Sequence, residues 1–217
     1  MSNQIVEKYT KPVRILHWTH TVAFVILFLT GLVLFIPGLS GLAQNSITRI
    51  LHRIGAIIFI VAPIVYTILD TGAVKKGIKE AFTWGSDDIG WIKAAPAYYF
   101  LDKETDMPPQ GAMNTGQKLW WLLTLVCGAV FIITGLIMWF ANGAFVQWMV
   151  FLHDIAFIVS GAMIFVHIYL SVLHPLMTEA WSAMSSGKIS ADYAKTHHGK
   201  WYDEITTENK QNPSDTK

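Results

Sequence analysis

Hydrophobic positions along this chain gather into four long runs separated by polar stretches. They predict membrane-spanning helices over about residues 13–35, 46–69, 117–140 and 148–173. Each run supplies the roughly 20 apolar residues a helix needs to cross a bilayer. Ile36-Pro37-Gly38 stops the first helix, and Pro175 marks the end of the last. Pro63 falls inside the second, where a membrane helix tolerates it because neighbouring groups satisfy the freed carbonyl. Residues 70–116 and 176–217 are polar, carry both signs of charge, and read as a loop and a tail outside the bilayer. The expected fold is an all-α membrane protein, a four-transmembrane-helix bundle forming a single domain.

Charge orients the bundle. All sixteen Lys and Arg except Arg49 and Arg53 lie in the N-terminal arm, the 70–118 segment or the tail. The positive-inside rule then puts both termini, the loop 70–116 and the tail 176–217 on the cytoplasmic side of what we expect to be a bacterial inner membrane. Composition agrees, with 53% hydrophobic and 14% charged residues against roughly a quarter charged in soluble domains. The run over residues 15–36 is of full spanning length, whereas a signal peptide has a shorter apolar region and a small-residue cleavage site; it reads as a retained helix. Cys127 is the single cysteine. That excludes an internal disulfide and a Cys-ligated iron–sulfur cluster, and no CxxCH attaches a c-type haem.

The chemistry sits in histidines within the apolar runs. His153 and His167 lie on the fourth predicted helix, fourteen residues apart, about 21 Å along the axis and about 40° around it. Both leave the same face at two depths. Helix direction then assigns levels. His17 and His167 fall near the inner face, His52 and His153 near the outer face, so topology alone yields two bis-histidine sites. Ionisable groups inside a membrane are costly and mark function, and neutral imidazole is a common metal ligand. Zinc would usually want three or four ligands at one depth, whereas two per level suits a haem with its equatorial positions filled by porphyrin. His20 lies one turn deeper than His17 and is its rival. His174 sits beside Pro175, and His197-His198 fall in the polar tail, where solvation or a partner-subunit contact is expected.

Two further features have two readings each. LTGLVLF at 29–35 and ITGLIMW at 133–139 form a faint repeat. Gly31 and Gly135 would either admit a flat cofactor near the backbone or serve close helix packing. Arg49 and Arg53, flanking His52, would either neutralise haem propionates or solvate a helix end.

His17-Trp18, RILH at 49–52, NTGQK at 114–118, the His153…His167 pair and KTHHGKWYDEI at 195–205 resemble the gamma subunit of respiratory formate dehydrogenase, a four-helix di-haem cytochrome b. The resemblance covers nearly the whole chain. It implies two haem b groups, the outer held by His52 and His153 and the inner by His17 and His167, as topology does. It also implies a quinone site by the inner haem, with Asn114, Gly116, Gln117 and His167; Asn114 as a plain helix cap is the other reading of that turn. The function implied is an electron-transfer subunit of anaerobic respiration rather than a self-contained enzyme. Electrons would come from an iron–sulfur subunit and a molybdenum or tungsten catalytic subunit, and menaquinone or ubiquinone would accept them. A basic cytoplasmic edge favours membrane lipids, anionic ones included; no nucleic-acid partner is expected. Alternatives are the anchor of a hydrogenase or of a thiosulfate or polysulfide reductase, a stand-alone quinone-linked cytochrome, and a small transporter without haem.

Overall fold

The computed structural model describes residues 4–44, 46–101 and 107–211. In chain order come β1 (Ile5–Glu7), α1 (Lys11–Phe35), a 3-10 turn at Pro37–Leu39, α2 (Ser40–Ala43), α3 (Ser46–Leu69), α4 (Thr71–Phe82), α5 (Ser86–Leu101), α6 (Thr115–Phe140) and α7 (Val146–Ile168). A π-helical turn, Tyr169–Leu173, extends α7, and a 3-10 turn at Pro175–Met177 leads to α8 (Thr178–Ser185), β2 (Lys188–Ser190), α9 (Ala191–His197) and α10 (Gly199–Gln211). Among the described residues, four segments are long and apolar enough to cross a membrane: Lys11–Phe35, Ile47–Leu69, Thr115–Phe140 and Val146–Leu173. They fall where the hydrophobic pattern puts them. The last closes with wider turns than expected, the His174 N–H donating to the Tyr169 carbonyl at 2.9 Å.

The chain divides into two compact units. One comprises Lys11–Thr71 and Leu123–Ile168 and carries most of the spanning segments. Its helices pack through small residues and rings, since lipid gives no hydrophobic drive between apolar helices. At Gly55 a Cβ would lie 3.1 Å from Leu27 Cγ and 3.2 Å from Ile26 Cγ2, so glycine lets α3 approach α1. Phe28 on α1 stacks on Phe157 of α7 with centroids 5.4 Å apart. A Cβ at Gly161 would lie 2.9 Å from Phe28 Cε2, so that ring occupies the space glycine leaves. Ile57, Val61, Val126 and Phe165 point outwards, exposed, as a lipid-facing surface requires.

The other unit comprises Met1–Thr10, Gly72–Leu122 and Tyr169–Lys217, the regions read from sequence as arm, loop and tail. Far from being open polar chain, they fold. β1 pairs antiparallel with β2, Ile5 opposite Ser190 and Glu7 opposite Lys188. A core of Ala183, Ile189, Ala191, Ala194, Trp201 and Tyr202 is covered by Val6, Tyr9, Ala112, Tyr193 and Ile205. These apolar residues are scattered among polar ones without a long run, which is why hydropathy alone leaves the tail looking solvated. Ser190 caps α9, its Oγ accepting from the Tyr193 N–H at 3.0 Å and donating to Glu179 Oε1 at 2.6 Å.

A buried ion pair fixes the start of α6. Lys118 Nζ donates to Asp88 Oδ1 at 2.9 Å and to the Thr83 carbonyl at 2.8 Å, while Thr115 Oγ1 donates to Asp88 Oδ1 at 2.7 Å. Burial would raise the Asp88 carboxyl, but hydrogen bonds from Thr115, Lys118 and the Gly85 N–H outweigh it and hold the group below its ordinary value. A buried charge kept ionised needs such partners on every side.

Candidate functional site

The first unit contains two facing imidazole pairs. His17 on α1 faces His167 on α7 with ring centroids 6.4 Å apart. His52 on α3 faces His153 on α7, again at 6.4 Å. All four rings are half-buried. Fourteen residues separate the two imidazoles on α7, about 21 Å of continuous helix at roughly 1.5 Å per residue, so the pairs lie at two depths. Among the described residues no group of three or more His, Cys, Asp or Glu is placed to hold a metal ion. Two imidazoles per level is therefore the donor set.

The spacing suits a metal between the rings. Two metal–imidazole bonds of about 2 Å each, plus the ring radius on either side, put the centroids roughly 6 Å apart. The second nitrogen of each ring tells more. His52 Nδ1 lies 2.8 Å from Thr30 Oγ1, and His153 Nδ1 lies 2.8 Å from Thr134 Oγ1. His17 Nδ1 is buried with no hydrogen-bond partner among the described residues. Phe131 meets the His153 ring edge-on at 4.8 Å, and Trp18 meets His17 in the same way at 5.1 Å.

Both glycines of the faint repeat face one of these imidazole rings. A Cβ at Gly31 would lie 3.7 Å from His52 Cε1 and 3.3 Å from Phe157 Cε2, and one at Gly135 would lie 3.7 Å from His153 Cε1. The threonine before each glycine is the residue that touches imidazole. The signal in the sequence is the Thr-Gly pair of LTG and ITG, in which the hydroxyl as well as the glycine recurs.

His20 does something else. Its Nε2 lies 2.9 Å from the Phe59 carbonyl, and its ring stacks on Phe59 at 4.5 Å. Arg49 Nε donates to the Ala43 carbonyl at 3.0 Å, and the Arg53 guanidinium lies 4.9 Å from the Trp139 ring centre. Both arginines thus have partners within the unit.

The NTGQK turn lies in the second unit and forms a reciprocal cap. Asn114 Oδ1 accepts from the Gln117 N–H at 2.9 Å, and Gln117 Oε1 accepts from the Asn114 N–H at 2.9 Å, a capping box at the start of α6. Gln117 Nε2 reaches Tyr9 Oη at 3.4 Å, and burial pushes that phenol up to about 12. At Gly116 a Cβ would lie 3.0 Å from Trp91 Cη2, so this glycine lets the indole close on the first turn. His167, grouped with these residues in the sequence reading, belongs to the first unit.

The tail histidines bond within their own unit. His198, 4% exposed, donates Nδ1–H to the Gly111 carbonyl at 2.9 Å, and His197 Nδ1 lies 3.3 Å from Tyr98 Oη. Solvation was the wrong expectation for His198, which the 107–114 stretch buries, while His197 is half-buried against Tyr98 and Tyr193. Lys8 Nζ donates to the Ala112 carbonyl at 2.7 Å and sits 4.0 Å over the Trp201 ring. Burial, opposed by Glu80, lowers this ammonium to about 7.

Four spanning segments with two imidazole pairs at separate depths are the frame of a membrane cytochrome b. The chain belongs to the prokaryotic cytochrome b561 family, whose model matches residues 8–187; it is a multi-pass membrane protein of a haem b family. It is similar to the formate dehydrogenase cytochrome b556(fdo) subunit of Escherichia coli strain K12, at 26% identity over 94% of this chain and 95% of that protein. The nitrate-inducible formate dehydrogenase cytochrome b556(Fdn) subunit of the same strain is 28% identical over 88% of each chain. The formate dehydrogenase cytochrome b556 subunit of Haemophilus influenzae is 26% identical over 91% of this chain and 82% of its own.

Proposed function

We propose that this chain is the membrane cytochrome b subunit of a respiratory formate dehydrogenase, carrying electrons from an iron–sulfur subunit to quinone. The observation that carries the reading is the pair of facing imidazoles at each of two depths, both at 6.4 Å. His52 and His153 would hold one haem b, and His17 and His167 the other. Similarity over 94%, 88% and 91% of this chain to three formate dehydrogenase cytochrome b556 subunits supports the choice of partner complex.

Haem b, when bound, supplies a one-electron couple at each level. The chain's own part is to hold and orient. α7 presents one ligand at each depth from a single rigid post, so the spacing between the sites is fixed by helix geometry. Apolar walls such as Phe131 and Phe157 exclude water and lower the local dielectric, which tunes potential. The charge distribution supports cytoplasmic termini with the His17–His167 level on that side, and the His52–His153 level towards the electron-donating partner. Arg49 and Arg53 each keep guanidinium N–H groups beyond the contacts above, available for propionates at the His52 level.

Asn114, Gly116 and Gln117 form the quinone-binding group of this reading, and His167 belongs to it as a ligand of the inner haem. The capping box uses the two side-chain carbonyl oxygens, which leaves the Asn114 amide N–H₂ to donate to a quinone oxygen. Purification of the chain with its native partners, followed by pyridine haemochrome quantitation, tests the proposal. Two b haems per chain and co-purification with iron–sulfur and molybdenum or tungsten subunits are expected. Absence of haem would overturn the cytochrome reading, and a nickel-containing partner would overturn the formate dehydrogenase assignment.

A further inference from the structure

The two threonines of the LTG and ITG repeat each bond twice. Thr30 Oγ1 lies 2.6 Å from the Ile26 carbonyl oxygen as well as 2.8 Å from His52 Nδ1. Thr134 Oγ1 lies 2.6 Å from the Val130 carbonyl oxygen as well as 2.8 Å from His153 Nδ1. A hydroxyl has one proton. A carbonyl carries none, so at 2.6 Å the hydroxyl proton must lie between the two oxygens. The threonine can then only accept from imidazole, and Nδ1 must be the protonated nitrogen. The Nε2 lone pair is left free and aimed by a ring held at its opposite end.

We infer that Thr30 and Thr134 are positioning residues of the His52–His153 pair: each fixes its histidine in the Nδ1–H tautomer and, by accepting the hydrogen bond from that N–H, makes Nε2 a more basic ligand. The inference rests on the axial-ligand reading above and adds to it. A more basic axial nitrogen stabilises the ferric over the ferrous state, so the two hydroxyls lower the reduction potential at this level. His17 has no such partner on Nδ1 among the described residues, so its ring is not polarised in this way. The arrangement is repeated almost atom for atom on α1 and α6. This gives the weak internal repeat a chemical meaning: each copy supplies one hydroxyl and one glycine to one imidazole.

The bland alternative is that both threonines merely bond back to their own helix, as membrane-helix threonines often do. Valine and serine substitutions separate the two. Thr30→Val and Thr134→Val keep the shape and remove the acceptor, whereas Thr30→Ser and Thr134→Ser keep the hydroxyl. Haem per chain is measured by pyridine haemochrome and both midpoint potentials by spectroscopic redox titration of the full chain with its partners. Each valine variant is expected to shift one of the two potentials upward and leave the other in place. It should also weaken retention of that haem, roughly 10- to 100-fold being usual for loss of such a partner. The serine variants should behave as the parent. Valine variants with parental potentials and haem content would overturn the inference, as would serine variants that shift as far as valine. If a valine variant does not accumulate, Thr→Ala at the same position is read by the same two outcomes. A parent chain without haem overturns the axial-ligand reading itself, which is a different result from two intact haems that ignore the threonines.

Discussion

His20 Nε2 donates to the carbonyl oxygen of Phe59 at 2.9 Å, and that carbonyl is the one Pro63 leaves without its helical N–H. Proline at position i has no N–H to give the carbonyl at i−4, and an unsatisfied carbonyl inside a bilayer costs several kcal/mol before any compensation. α1 therefore repairs α3. The nitrogen that would make His20 a rival ligand to His17 is engaged in the repair, and His17, three residues earlier, faces His167.

This relationship predicts a double-mutant cycle. His20→Ala should destabilise the detergent-solubilised protein by about 1 kcal/mol, the order found for hydrogen bonds between membrane helices, while both haems remain. Pro63→Ala restores an N–H for Phe59, so His20→Ala in that background should cost clearly less. Thermal denaturation of the four proteins measures the coupling. Additive costs would mean the bond does no compensating, and loss of a haem in His20→Ala would move the ligand role from His17.

Single-ligand variants should sort by level. His52→Ala and His153→Ala should abolish one and the same haem signal in the reduced-minus-oxidised spectrum. His17→Ala and His167→Ala should abolish the other. A crossed pattern, in which His52→Ala and His17→Ala remove the same signal, would break the pairing.

The capping box at α6 separates structure from recognition at Asn114. Asn114→Asp keeps the cap, since Asp is as good an N-cap acceptor as Asn, but loses the amide N–H₂. It should fold with parental stability and slow quinone reduction. Asn114→Ala should lose about 1 kcal/mol as well. Steady-state turnover with a soluble quinone analogue decides: unchanged turnover in the Asp variant would reduce Asn114 to a cap.

The second unit should be sensitive to mild acid. Burial, partly opposed by Glu179, lowers His197 from 6.5 to about 4, and burial first and Lys8 second hold His198 well below its ordinary value. Between those values the unfolded chain binds protons that the folded chain does not, so stability is full above about 6.5 and falls as pH drops towards 4. Denaturation midpoints across that range should decline with acidity, and less steeply in His197→Gln. Equal slopes in parent and variant would remove His197 from the account.

How much of this was legible in the sequence follows from what kind of signal each feature leaves. The four spans were readable because a bilayer imposes a local rule: each crossing segment must be apolar over its own length, whatever its neighbours do. Once the spans and the Lys and Arg asymmetry were assigned, helix direction alone paired His17 with His167 and His52 with His153, and the folded chain brings those rings face to face. The tail was misread for the complementary reason. Ala183, Ile189, Trp201 and Tyr202 are apolar residues scattered among polar ones, and they are buried only because distant segments, β1 and the 107–114 stretch, close over them. Local composition therefore determined the spans and the level of each histidine. Tertiary structure decided that His20 serves Phe59 rather than a metal, that Thr30 and Thr134 hold the imidazoles, and that His198 lies inside. Each of those depends on a hydrogen bond or a burial between residues far apart in the chain, and such a contact leaves no periodic trace in the sequence of either partner.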